Sequence, residues 1–127
     1  MIESIGVDIV DLARMTQVIH RWHDKFMKKI LTPLEYDYCA AKAGRTASVA
    51  ARFAAKEALY KALPDENQVV ARWHDIEILN DKNGRPHIVC LRKLKKVAED
   101  YHIHLSLSHS KSSAVAVVVL ERKGNVA

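Results

Sequence analysis

The sequence predicts a single α+β domain, with helices packed on a mainly antiparallel sheet. Three observations carry that reading. The chain opens on a period-2 segment at Ile5–Val10, recurs at helical spacing from Leu12 to Leu63, then returns to period 2. Turn-forming residues at Asn80–Gly84 and Lys111–Ser113 join the later strands as hairpins. No repeat, biased run or linker-like composition interrupts the 127 residues, so one domain is expected over 1–127.

In the first strand Ile5, Val7 and Ile9 alternate with Gly6, Asp8 and Val10, so Asp8 points away from the isoleucine–valine row. Asp11 is placed to cap a helix starting at Leu12. Leu12, Met15, Ile19, Trp22, Phe26 and Ile30 give that helix an apolar stripe, bordered by a basic one of Arg14, Arg21, Lys25 and Lys28. Thr32-Pro33-Leu34-Glu35 reads as a capping box with proline at the first helical position. The helix it opens is expected to reach Ala43, with Gly44 as a left-handed terminator. A third, alanine-rich helix is expected from Ser48 to Leu63, stopped by Pro64. Its small side chains let neighbours approach closely. Ile76 and Ile78, the turn at Asn80–Gly84 and Pro86–Leu91 form a hairpin. Leu94, Val97, Ala98 and Tyr101 mark a short helix, and Ile103–Ser108 with Ala114–Glu121 a final hairpin.

Apolar residues at 49% and charged ones at 28% exclude disordered and low-complexity classes. The longest apolar run, Ala114–Leu120, falls far short of the ~20 residues a membrane helix needs. The opening Met1-Ile2-Glu3-Ser4 has no secretory character, and Cys39 and Cys90 match no metal spacing. Free thiols in a cytoplasmic protein are expected. The net charge of +5 suits an acidic or phosphorylated partner, or solubility alone.

Several residues carry chemistry in more than one way. Asp8, at a strand-to-helix junction, could cap the next helix or bind a cation. Glu57 and Lys61 make an ordinary i,i+4 pair, or two members of a site. His109 ends Ser106-Leu107-Ser108-His109-Ser110 as a satisfied polar residue or a ligand contact. Asn83-Gly84-Arg85-Pro86 is a turn, and a phosphate clasp only if other ligands converge on it. Phosphate-loop, dinucleotide-binding, zinc and nucleophile-elbow motifs are absent.

Together the spacing becomes specific. Gly6-Val7-Asp8-Ile9-Val10, Arg14, and Arg52-Phe53-Ala54-Ala55-Lys56-Glu57-Ala58-Leu59-Tyr60-Lys61-Ala62 resemble the signature of the 4′-phosphopantetheinyl transferases. The chain length, Asn83–Pro86 and Ser106–Ser110 resemble the small bacterial holo-acyl-carrier-protein synthase branch. The resemblance runs from Ile2 to about Glu121. It implies transfer of phosphopantetheine from coenzyme A to a serine of apo acyl carrier protein, releasing adenosine 3′,5′-bisphosphate, in support of fatty acid biosynthesis.

The resemblance implies Mg²⁺ held by Asp8 and Glu57, with Asp8, Glu57 and Lys61 as the catalytic set. Lys61 would serve the leaving phosphate. A metal-bound hydroxide or a nearby carboxylate could take the serine proton. Arg52 and Lys56 would contact coenzyme A phosphates or support the metal site. Asn83, Gly84, Arg85, Pro86, His109 and Ser110 match nucleotide-binding segments. A cytoplasmic homotrimer with sites between subunits is also implied. One departure is local: Pro64-Asp65-Glu66-Asn67-Gln68-Val69-Val70 replaces the Gly-Thr-Gly loop of many members.

For the basic stripe the resemblance implies docking of the acidic carrier through Arg14, Arg21, Lys25 and Lys28. Two alternatives stand beside this reading: a small basic nucleic-acid-binding domain, and a carrier-binding homologue without turnover. Few aromatics (6%) and no recognition motif weigh against the first. Asp8, Glu57 and Lys61 weigh against the second. Neither nucleic acid nor a membrane is expected as a partner.

Overall fold

A computed structural model describes residues 1–124. In chain order it contains β1 (Ile2–Asp11), α1 (Leu12–Trp22), α2 (Asp24–Ile30), α3 (Pro33–Ala40), α4 (Arg45–Ala62) and α5 (Asp65–Gln68). β2 (Ile76–Asn80), β3 (Pro86–Cys90), α6 (Lys95–Asp100), β4 (Tyr101–His109) and β5 (Ser113–Arg122) follow. The strands form an antiparallel sheet of order β1-β5-β4 and a separate β2-β3 hairpin. This is the α+β arrangement expected.

Alternation along β1 sets everything else. Its inner face presents Ser4, Gly6, Asp8 and Val10, and α4 packs across β1 and β5 on that side. Ala54, Ala55, Ala58 and Ala62 of α4 are buried, with Ala116, Val118 and Leu120 of β5 in the same core. The approach is close enough that a Cβ on Gly6 would overlap the carbonyl oxygen of Ala58. Glycine is required there for space.

The apolar row of β1 faces the other way. Ile5, Val7 and Ile9 are 64%, 54% and 67% exposed. The register places them beside Val119, Val117 and Val115 of β5, with His104, Ser106 and Ser108 of β4 completing the three rows. The outer sheet face thus carries a continuous apolar patch, a feature of surfaces that associate.

Three boundaries differ from the sequence reading. The helix expected from Leu12 to Ile30 is two helices, broken at His23, whose φ of 49° lies in the left-handed region. The apolar spacing runs through the break because α1 and α2 share one core, with Met15, Ile19, Met27 and Ile30. α3 ends at Ala40, and Gly44, with φ −90°, precedes α4 instead of terminating α3 in a left-handed turn. Tyr101 opens β4 and is buried there, so its place in the apolar spacing reflects the core and not a helix.

Local chemistry explains the elements that match. The Asp11 side chain accepts from the Ala13 amide at 2.9 Å. Thr32 and Glu35 form the reciprocal capping box, and Leu63, extended before Pro64, ends α4. In the β2–β3 turn Gly84 has φ +82°, and Asp81 Oδ1 accepts from the Asn83 and Arg85 amides. Cys39 and Cys90 are free and buried, one in each core cluster. Burial pushes the Cys90 thiol up to about 11 and raises Cys39 as well.

Gly6→Ala should therefore destabilise the domain by about 3 kcal/mol, because the methyl meets backbone and cannot be repacked. Urea denaturation of wild type and variant measures this; an unchanged midpoint would contradict the close contact.

Candidate active site

The Gly6–Ala58 approach fixes the position of two carboxylates. Asp8 lies two residues beyond Gly6 on the same inner face, and Glu57 adjoins Ala58 on α4. Both border one cleft of about 710 Å³, with Arg14, Phe26, Phe53 and Ser112 among its other walls. Lys61 Nζ donates to Asp8 Oδ1 at 2.9 Å and to the Val7 carbonyl at 3.1 Å. The ammonium therefore pairs with Asp8, and not with Glu57 one turn before it as the i,i+4 spacing allowed. Burial, and then the charge of Asp8, raise the Glu57 pKa above the usual carboxylate range, with Lys61 opposing. Asp8 is not the cap of the next helix; Asp11 is.

A second cleft, of about 1140 Å³, lies between α3, α4, the β2–β3 turn and β4. Arg52, Asn83, Gly84, Arg85, Pro86 and His109 all border it, although they come from three distant parts of the chain. Arg52 is buried, donates to Asn80 Oδ1 at 2.8 Å and lies 4.2 Å from the Tyr38 ring centroid. Its Nε has no partner. A guanidinium that borders a cleft with most of its donors uncommitted suits an anionic oxygen.

Two expected nucleotide contacts are corrected. Lys56 does not reach this cleft: its side chain is fully buried, and its three donors go to Glu35 Oε1 (2.6 Å), Ile30 O (2.6 Å) and Trp73 O (3.0 Å). An ammonium has no fourth donor to offer a phosphate. Ser110 belongs to the β4–β5 turn, where its Oγ accepts from the Ser112 and Ser113 amides, and it borders neither cleft. Tyr38 and Asn80 were missed. Asn80 reads as turn chemistry alone, and nothing in the sequence couples Tyr38 to Arg52.

The break at His23 also divides the basic stripe. Arg14 and Arg21 belong to α1, Lys25 and Lys28 to α2, and all four are exposed. Arg14 borders the carboxylate cleft, while the Arg21 guanidinium lies over the Trp22 ring at 5.3 Å. A third, mainly apolar pocket of about 240 Å³ meets the carboxylate cleft at Glu57, which borders both, and is walled by Tyr60, Ala71, Trp73 and Ile76.

Residues 4–118 match the model of the 4′-phosphopantetheinyl transferase superfamily. The chain belongs to that superfamily. The holo-[acyl-carrier-protein] synthase of Koribacter versatilis is 43% identical over 124 residues, covering 95% of this chain and 99% of that protein. The structure is similar to that of the Bacillus anthracis holo-(acyl-carrier-protein) synthase in complex with CoA (3′,5′-ADP), with TM-score 0.78 and 39% identity. That match covers 97% of this chain and 99% of the other. The Neisseria meningitidis synthase gives TM-score 0.84 at 30% identity, covering 96% and 100%. These matches lend no support to the nucleic-acid-binding alternative.

The Glu57 shift carries a sign. Its folded pKa lies above the unfolded value, so its contribution to stability is greatest at low pH and is lost as pH rises through the folded pKa. Glu57→Gln, which cannot ionise, should gain in Tm over wild type as pH rises from 4 to about 7 in chelator. Thermal unfolding across that range tests it; a constant Tm difference would contradict the shift.

Proposed function

We propose that this chain transfers the 4′-phosphopantetheine group of coenzyme A to a serine hydroxyl of apo acyl carrier protein, releasing adenosine 3′,5′-bisphosphate. The observation that carries it is the convergence of Asp8 and Glu57 in one cleft, in a chain similar to synthases of that name over nearly its full length. The domain is read as 1–127, of which 125–127 lie outside the described residues. The same similarity supports a cytoplasmic role in fatty acid biosynthesis. Among the described residues no helix is long and apolar enough to cross a membrane.

In the transfer, the serine oxygen bonds to the phosphorus that carries pantetheine. The bridging P–O bond breaks, its electron pair leaves on adenosine 3′,5′-bisphosphate, and the serine proton passes to a carboxylate of the cleft and on to solvent. Arg52, Arg85 and His109 would hold the nucleotide part, with Asn83, Gly84 and Pro86 shaping the cleft edge. The apolar pocket at Glu57 would take part of the pantetheine arm. That pocket includes Ala71 and Trp73, just beyond the segment that replaces the Gly-Thr-Gly loop. Lys61 would hold Asp8 in place and add positive charge near the leaving phosphate.

The donor set fits Mg²⁺. Asp8 and Glu57 are two carboxylates whose mutual repulsion a cation relieves, and no group of three metal-ligating side chains occurs among the described residues. Two carboxylates completed by phosphate oxygens and water match that ion's preference. When bound, Mg²⁺ would neutralise charge on the diphosphate.

The placement of the two clefts within one chain supports sites between subunits. Arg52 and Glu57 are five residues apart on α4, which turns their side chains about 140° from each other. The nucleotide cleft and the carboxylate cleft therefore flank opposite sides of one helix. Ser106 and Ser108 place the edge of the nucleotide cleft beside the exposed apolar sheet face. A copy seated on Ile5, Val7 and Ile9 would lie next to that cleft, and the family resemblance is the ground for reading the assembly as a homotrimer.

Apo carrier protein incubated with coenzyme A, Mg²⁺ and this protein should gain phosphopantetheine by mass spectrometry; no mass gain would overturn the assignment. Asp8→Ala and Glu57→Ala should each lower turnover by about 100-fold or more with folding retained. Near wild-type activity of either at limiting Mg²⁺ would refute the metal assignment. Arg21→Glu with Lys25→Glu should raise the apparent KM for carrier about tenfold and leave that for coenzyme A unchanged. Equal losses for both substrates would move these residues out of carrier docking. Val7→Lys should dissociate the oligomer in sedimentation, and an unchanged mass would clear the outer sheet face of that role.

A further inference from the structure

The buried Glu35 carboxylate gathers more backbone and side-chain donors than a capping box needs. Oε1 accepts from the Thr32 amide at 2.8 Å and from Lys56 Nζ at 2.6 Å, and Oε2 accepts from the Ile78 amide at 2.9 Å. One side chain of α3 thus ties together α4 and the backbone of β2. Lys56 extends the tie to Ile30 at the end of α2 and to Trp73. Thr32 Oγ1 donates to Glu77 on β2 at 2.5 Å, which fastens the same elements again.

The next layer repeats this order. Tyr38 lies one turn beyond Glu35 on α3, Arg52 one turn before Lys56 on α4, and Asn80 two residues beyond Ile78 on β2. These three touch one another: Arg52 lies over the Tyr38 ring and donates to Asn80. All three border the nucleotide cleft, and Asn80 Nδ2 donates to the Gly84 carbonyl at 2.9 Å, continuing into the turn that carries Arg85. The Glu35–Lys56–Ile78 layer is buried and the Tyr38–Arg52–Asn80 layer borders the cleft, and both are built from the same three elements.

We propose that Glu35 and Lys56 are positioning residues for the nucleotide cleft. Their ion pair sets the spacing of α3, α4 and β2 and thereby the aim of Arg52, whose guanidinium borders the cleft and, with one donor given to Asn80, keeps others for an anionic oxygen of the ligand. The pair touches no substrate. It rests on the reading of this cleft as the site for the adenosine 3′,5′-bisphosphate part of coenzyme A.

A buried ion pair replaced by apolar side chains of similar volume often keeps or improves stability, whereas loss of one partner strands a charge. Stability and positioning can therefore be separated. Glu35→Leu with Lys56→Met should fold with a Tm near wild type and bind adenosine 3′,5′-bisphosphate about tenfold more weakly by calorimetry. Its apparent KM for coenzyme A should rise while that for carrier protein stays constant. Wild-type affinity in this folded double variant would overturn the proposal and leave the pair a purely structural feature. If the double variant does not fold, Glu35→Gln decides: it keeps the shape but cannot accept from all three donors, and unchanged ligand affinity again overturns the proposal. Failure of the wild-type protein to bind adenosine 3′,5′-bisphosphate would instead refute the functional reading on which the pair's role depends.

Discussion

The passage of α4 across β1 at the Gly6–Ala58 contact is the constraint from which the rest of the structure follows. A strand and a helix come this close only where the strand has no side chain and the helix has small ones. Gly6 and the series Ala54, Ala55, Ala58 and Ala62 satisfy both conditions. Shape alone then brings Asp8 and Glu57 together, because each sits beside the point of contact. Two carboxylates repel each other, and the charge of Asp8 helps to raise the Glu57 pKa, so they would not be assembled by their own attraction. Hydrophobic burial elsewhere holds them there.

The opposite side of α4 is ordered by charge. Glu35 and Lys56 are fully buried, and their pairing compensates a large desolvation cost. Burial pulls the Lys56 ammonium below its usual range, and Glu35 opposes that shift. Such a pair adds little net stability, but it tolerates only one arrangement of its neighbours. The helix therefore has an apolar contact on the β1 side that sets distance, and a polar one on the α3 side that sets rotation.

Much of this was legible in the sequence, for physical reasons that differ by residue. Asp11, the Thr32–Glu35 box, Pro64 and Gly84 act locally, so a few neighbouring letters reveal them. Asp8, Glu57 and Arg52 could be selected by family spacing. Their distribution between two clefts follows from the rotation of α4, which a linear motif does not display. Lys56 misled because a lysine inside a functional motif looks like a ligand; its partners, Glu35 and two backbone carbonyls, are at least 17 positions away. The break at His23 was invisible because the apolar positions of α1 and α2 remain in helical phase across it. The exposed row on β1 has the same cause: alternation reports that two faces differ, and the side that meets α4 is decided by the glycine.

The two thiols give the protein a pair of internal reporters. Cys90 belongs to the core cluster beneath the sheet, and Cys39 to the one formed by α1, α2, α3 and the start of α4. Burial suppresses both thiolates, so a reagent can reach each only when its own cluster opens. Their labelling rates read the local opening of the two halves separately. A carrier helix bound at α1 would slow the labelling of Cys39 and leave that of Cys90 unchanged.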